Sequence, residues 1–172
     1  SDIRTAQDMK GKRMVFVDKA TTAGYLLPLS YFESLGIDDY STWLGEYYFS
    51  GTHEDAIRDV LNGFADIGAA KNTVFYSLAV TDCRFSKELE ILATSPHVPA
   101  NGLSVRHDLP DDLRQMLKNQ LLSMHQNPEG LKVLNGLRME KFIAMSEEDY
   151  RPVFDYAADI GLDLSTYNYL ND

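Results

Sequence analysis

Apolar stretches of strand length alternate along this chain with stretches whose apolar residues recur at helical spacing. "RMVFVD" (13–18) reads as a buried strand. Tyr25, Leu29 and Phe32 follow at i, i+4 and i+7 and predict a helix ending near Gly36. "EYYFS" (46–50) predicts a second strand. After it, Thr52 is placed to cap a helix with Asp55 at the capping-box position, Ile57, Val60, Leu61 and Phe64 on one apolar face and Gly63 near its end. "ADIGAA" (65–70) predicts a short third strand of small residues, and "NTVFYSLAV" (72–80) a further helix.

"LEILATS" (89–95) and "GLSVRH" (102–107) read as two more strands, separated by "PHVPAN" (96–101), whose prolines exclude helix and stiffen the link. Leu113, Met116, Leu117, Leu121 and Met124 predict an amphipathic helix, and Ser146 to Asp149 caps another that carries Tyr150, Val153, Phe154 and Ala157. The last stretch, "GLDLSTYNYLND" (161–172), is aromatic enough to be expected to dock. The alternation predicts an α/β fold with a mostly parallel sheet flanked by helices, followed by C-terminal helices.

Composition narrows the functions. With 172 residues, 44% hydrophobic and 24% charged, the chain can bury one core and a small second unit. No run approaches the roughly 18 apolar residues of a membrane span, and the opening "SDIRTAQDMKGKR" has no signal-peptide apolar region. The net charge of -10 argues against nucleic acid or an anionic membrane surface as partner, since both need clustered Lys and Arg. Any anion must be held locally. Cys83 is the single cysteine and no CxxC spacing occurs, so no internal disulfide is expected, and nothing else in the sequence suggests a metal or an organic cofactor.

One stretch carries chemistry. In "VDKATTAGYLLP" (17–28) an apolar strand runs into two threonines, an alanine and a glycine before helix-like spacing resumes. A helix entered this way exposes its first backbone N–H groups at the positive end of its dipole and attracts anions. Thr21 and Thr22 add hydroxyl donors and Gly24 allows close approach to the backbone, which suits a phosphate-like guest. A plain helix cap would use the same residues. Pro28 lacks the N–H that would bond back to Gly24, so the first turn is expected to bend or leave the Gly24 carbonyl free.

At these residues the chain resembles a known family. "DMKGKRMVFVDKATTAGYLLP" (8–28) is similar to a segment typical of the periplasmic phosphonate-binding proteins of ABC transporters and their phosphite- and phosphate-binding relatives. The likeness continues through "GTHEDAIRDVLNGFADIGAAKNTVF" (51–75), "ILATSPHVPANGLSVRHDLP" (91–110) and "LLSMHQNPEG" (121–130). It implies a type II solute-binding fold, in which two α/β lobes close over the ligand. It also implies a periplasmic or extracellular location, with a lipid anchor as one option, a membrane permease as partner, and no enzymatic activity.

The resemblance places the oxyanion on Thr21, Thr22, Ala23, Gly24 and Tyr25, with Ala23 offering only its amide where the family has a hydroxyl. It places the ligand-contacting histidine at His53, a position a structural histidine would equally fill. Lys71 and Asn72 fall where the organic end of the ligand is read. If Lys71 faces the cleft it disfavours an aminoalkyl ammonium; the plainer reading is a solvated lysine at a helix start. Glu54 is a candidate receiver of a ligand cation, or simply a first-turn glutamate.

Family members carry an N-terminal stretch that builds much of the first lobe, so the chain is expected to be a fragment. On that view residues 1–126 form the ligand-gripping lobe, with a crossover near 95–102. Residues 127–172 form a helical segment that would dock on the first lobe, and the uncovered faces invite dimerisation. Two alternatives remain: a ligand-sensing domain of a membrane receptor with the same fold, and a phosphate-ester hydrolase using His53 with Asp18 or Glu54.

Overall fold

Strand β1 (Arg13–Phe16) is the centre of a three-stranded parallel sheet in the computed structural model, which describes residues 3–99 and 101–171. It pairs on one side with β2 (Glu46–Phe49), with Phe16 opposite Phe49. On the other side it pairs with β3 (Ile67–Gly68), with Val15 opposite Gly68. Met14, Val15, Phe16 and Val17 are all buried, as expected of a strand covered on both faces. All three strands run the same way, so the helices that follow them start at one edge of the sheet.

The helices are α1 (Leu27–Ser34), α2 (Tyr40–Trp43), α3 (His53–Leu61), α4 (Asn72–Thr81), α5 (Arg84–Glu88), α6 (Asp111–Ser123), α7 (Pro128–Gly136) and α8 (Arg151–Asp159). The expected Thr52–Asp55 box is present: the Asp55 amide donates to the Thr52 hydroxyl oxygen at 3.0 Å, and that hydroxyl donates to the Asp55 carboxylate at 2.6 Å. Left-handed Gly36 (φ 73°) follows α1, and its N–H donates to the Glu33 carbonyl at 2.9 Å. Ser146 and Asp149 also form their box, which opens a 3-10 turn (Glu147–Tyr150) leading into α8.

Contacts divide the chain into two units. The first comprises the residues up to His97 together with those from Pro152 onward; the second is Val98–Arg151. In the first, Phe16, Tyr25, Phe32 and Leu44 form the heart of the core, with Tyr40, Phe49, Leu162 and Tyr167 packed around it. The tail therefore docks, as its aromatic content predicts. Behind the sheet, Ile57, Leu78 and Phe85 join α3, α4 and α5.

The second unit is built on α6, a 3-10 turn (Met124–Gln126) and α7. Asn127 caps α7 by accepting the Gly130 amide at 2.7 Å, and Pro128 stands in its first turn. Gly130 is required because a Cβ there would lie 2.1 Å from the Met124 carbonyl oxygen. This tight junction keeps residues on both sides of position 126 in one unit, so the expected boundary at 126/127 lies inside it.

Two predicted strands are absent. Residues 89–95 and 102–107 form no ladder, and Ile91, Leu103 and Val105 are exposed. Their pattern suits a strand, but a strand needs a neighbour for its N–H and C=O groups, and none pairs with them among the described residues. Helices α2 and α5 escaped the periodicity because each is too short to show one.

Candidate functional site

The parallel register brings three helix mouths together. Past β2, the Ser50 and Gly51 amides donate to the Phe16 and Val17 carbonyls at 3.0 and 2.8 Å. Past β3, the Ala69 amide donates to the Val15 carbonyl at 3.2 Å. Because β1 is central, the turn after it lies between the starts of α3 and α4. The starts of α3 and α4 are joined directly, the Lys71 amide donating to His53 Nδ1 at 3.2 Å.

The turn after β1 is wider than an α-turn. Thr22–Leu26 form one π-helical turn, in which the Leu26 amide donates to the Thr21 carbonyl at 3.2 Å and the Leu27 amide to the Thr22 carbonyl. The backbone N–H groups of Thr22, Ala23 and Gly24 carry no hydrogen bond among the described residues. These are three consecutive donors at the positive end of a helix. Of the two outcomes expected of Pro28, the turn takes the first: it is distorted, and the Gly24 carbonyl is not free, since the Val17 amide donates to it at 3.2 Å.

Other assignments change in detail. The Thr21 hydroxyl donates to the Asp18 carbonyl at 2.7 Å, so only Thr22 keeps an unengaged hydroxyl. Gly24 does not make room for a guest: a Cβ there would lie 2.4 Å from Val17 Cβ and 2.6 Å from Thr21 Oγ1, so the glycine lets the turn press on the strand end. The Tyr25 side chain is buried, edge-on to Phe16 at 5.4 Å, with its hydroxyl 3.1 Å from that of Tyr40. Tyr25 can therefore contribute to the mouth only its amide. Burial, the larger cause, raises its pKa.

His53 opens α3 half-buried. Burial first, and then the Lys71 charge, hold its pKa below the ordinary imidazole value of 6.5. With Nδ1 accepting from Lys71, the neutral ring carries its proton on Nε2, which leaves that nitrogen as a donor. The Lys71 ammonium makes no ion pair among the described residues. Asn72, exposed at the start of α4, accepts the Thr73 amide at 2.8 Å.

Glu54 is engaged by Arg58 at 2.8 Å and so offers little to a ligand cation. The Asp18 carboxylate is taken up by the Ala20 amide and by Asn171. Among the described residues His53 thus has no carboxylate partner of the kind a hydrolase would use. Beside the mouths lies a cleft of about 650 Å3 lined by Lys19, Tyr47, Tyr48, Phe49, Ser50, Gly51 and Asn171. Asn171 reaches this edge from the far end of the chain, and no local sequence signal marks it.

A parallel sheet whose strands all open into helix mouths defines the class: a lobe of a type II periplasmic binding protein. Residues 1–150 match the family described as the periplasmic phosphonate substrate-binding proteins of ABC transporters, and the chain belongs to it.

Solved structures agree in fold. A binding-protein component of an ABC phosphonate transporter from Pseudomonas aeruginosa superimposes with a TM-score of 0.79 at 25% identity, covering 93% of this chain and 54% of that one. PhnD1 from Prochlorococcus marinus, in complex with methylphosphonate, gives 0.74 at 20%, covering 93% and 61%. A Xanthomonas citri protein bound to ATP gives 0.76 at 20%, covering 93% and 62%. The chain thus spans less than two thirds of the length of these structures.

Proposed function

We propose that this chain captures phosphonate, or the related oxyanions phosphite and phosphate, in the periplasm for delivery to an ABC permease. The observation that carries the reading is the row of unengaged amides from Thr22 to Gly24, with the Thr22 hydroxyl, at the sheet edge where His53 and Lys71 are joined. Such a row offers directed donors to a tetrahedral oxyanion and needs no net positive charge on the molecule. Hydrogen bonds to a charged group contribute about 1.5–3 kcal/mol each, so three or four support micromolar binding once the costs of association are subtracted. Family membership and the methylphosphonate seen in the Prochlorococcus marinus protein support the ligand class. His53 Nε2–H would supply a further donor and Lys71 a positive charge, while Asn72 would face the organic end of the guest. Closure of a second lobe over the guest would remove water and strengthen each of these interactions.

Titration calorimetry with methylphosphonate, phosphite and phosphate tests this. Thr22→Ala is expected to weaken the preferred ligand by at least about 1 kcal/mol, roughly fivefold in Kd. An unchanged Kd would reduce Thr22 to a helix cap and remove the reading's main support.

A further inference from the structure

The turn that presents the amide row is held from the other end of the chain. Asn171 grips it with both ends of its side-chain amide: Oδ1 accepts the Lys19 amide at 3.1 Å, and Nδ2 donates to Asp18 Oδ2 at 2.7 Å. The Tyr167 hydroxyl donates to the Lys19 carbonyl at 2.9 Å. The grip passes directly into the mouth. Asp18 Oδ1 accepts the Ala20 amide at 2.7 Å, and the Asp18 carbonyl accepts both the Thr21 amide at 3.0 Å and the Thr21 hydroxyl at 2.7 Å. The Thr21 carbonyl then accepts the Leu26 amide and closes the wide turn. An unbroken series of hydrogen bonds therefore runs from the tail to the residue that sets the direction of the Thr22–Gly24 amides.

Chemistry explains why an asparagine stands there. The site needs one group that donates to a carboxylate and accepts from a backbone N–H, and a primary amide does both. An aspartate would keep the acceptor but set a second carboxylate against Asp18. Tyr167 anchors the strap because its ring packs against the buried core and fixes the distance to Lys19.

We infer that Asn171, assisted by Tyr167, is a positioning residue of the oxyanion site, acting through Asp18 and Lys19 to aim the amides of Thr22–Gly24. The affinity part of this inference rests on the function proposed above; the geometric part does not.

The test compares the unaltered protein with Asn171→Ala, Asn171→Asp, Tyr167→Phe and Asn168→Ala. Readouts are methylphosphonate Kd by calorimetry, amide resonances and hydrogen exchange at Thr21–Tyr25, and thermal midpoint. Asn168 serves as control because, among the described residues, its side chain accepts only the Leu170 amide within the tail. Asn171→Ala is expected to move the Thr21–Ala23 amide resonances, speed their exchange and raise Kd about tenfold, as the loss of a charge-assisted bond and its neighbour would. Asn171→Asp should do at least as much, Tyr167→Phe less, and Asn168→Ala nothing.

Unmoved resonances and exchange in Asn171→Ala would overturn the inference whether or not ligand binds. So would a Kd within about twofold of the unaltered protein, even with faster exchange. If Asn171→Ala lowers the thermal midpoint so far that it cannot be assayed, Tyr167→Phe, which keeps the packed ring and removes one bond, decides by the same criteria. Absence of methylphosphonate binding to the unaltered protein would count against the proposed function, and the amide readouts would still decide the strap.

Discussion

Replacing Gly24 with alanine isolates the contact on which the mouth is built. The new Cβ would lie 2.4 Å from Val17 Cβ, 2.6 Å from Val17 Cγ2 and 2.6 Å from Thr21 Oγ1. None of these can yield easily: Val17 is 2% exposed, its amide is bonded to the Gly24 carbonyl, and the Thr21 hydroxyl is held by Asp18. Overpacking of this kind costs about 1–3 kcal/mol. It is offset by the roughly 0.4–1 kcal/mol that alanine returns by restricting the unfolded chain. Central values leave a net loss of about 1.3 kcal/mol, which at this chain length lowers the thermal midpoint by roughly 3–5 °C. Because the strain pushes the turn away from the strand end, methylphosphonate affinity should fall with it. Thermal and urea unfolding give the first quantity and calorimetry the second. Gly136→Ala is the matched control: nothing lies within 4 Å of its Cβ position and the residue ends α7, so alanine should be neutral or stabilising by up to about 1 kcal/mol. Gly24→Ala unfolding at or above the unaltered midpoint would show that the turn does not press on the strand as described.

Two further outcomes follow from the neighbouring mouths. Since the folded-state pKa of His53 is lowered by burial and then by Lys71, the unfolded chain takes up its proton first. Its stabilising contribution is therefore complete above about pH 6.5 and is lost as pH falls through the lowered folded value. Urea unfolding from about pH 7.5 to about pH 5 should show a shallower loss in His53→Asn than in the unaltered protein, and parallel profiles would remove the argument. For Lys71, methylphosphonate should bind more tightly than 2-aminoethylphosphonate, with the gap narrowing in Lys71→Ala. The reverse order in the unaltered protein would mean that the ammonium faces away from the ligand.

The elements that form locally were readable from the sequence. Thr52 and Asp55 declare a capping box within four residues, and the apolar run 13–18 with Gly36 and Gly63 places the central strand and two helix ends. The helix start after β1 was legible too, as a threonine-rich turn. What could not be read depends on partners remote in sequence. Whether Thr21 or Thr22 keeps its hydroxyl is decided by the Asp18 carbonyl, and whether Gly24 serves a guest or a strand is decided by Val17. Which of the two outcomes Pro28 would bring, a bent turn or a free Gly24 carbonyl, was likewise decided by the fold, where a strand-end amide takes that carbonyl. Residues 89–95 and 102–107 carry a strand pattern, which records compatibility with a ladder and not the presence of a neighbour.

The wide turn at Thr22–Leu26 bears on how lineages of this chain can change in length. A π-turn accommodates one residue more than an α-turn at the same helical phase, so losing a residue there would shrink the mouth while Phe32 still pointed into the core. The same deletion between Leu27 and Phe32 would rotate everything beyond it by about 100° and carry Phe32 off its packing site. Insertions and deletions that preserve the fold should therefore gather at this turn, where each also alters how many amides it presents.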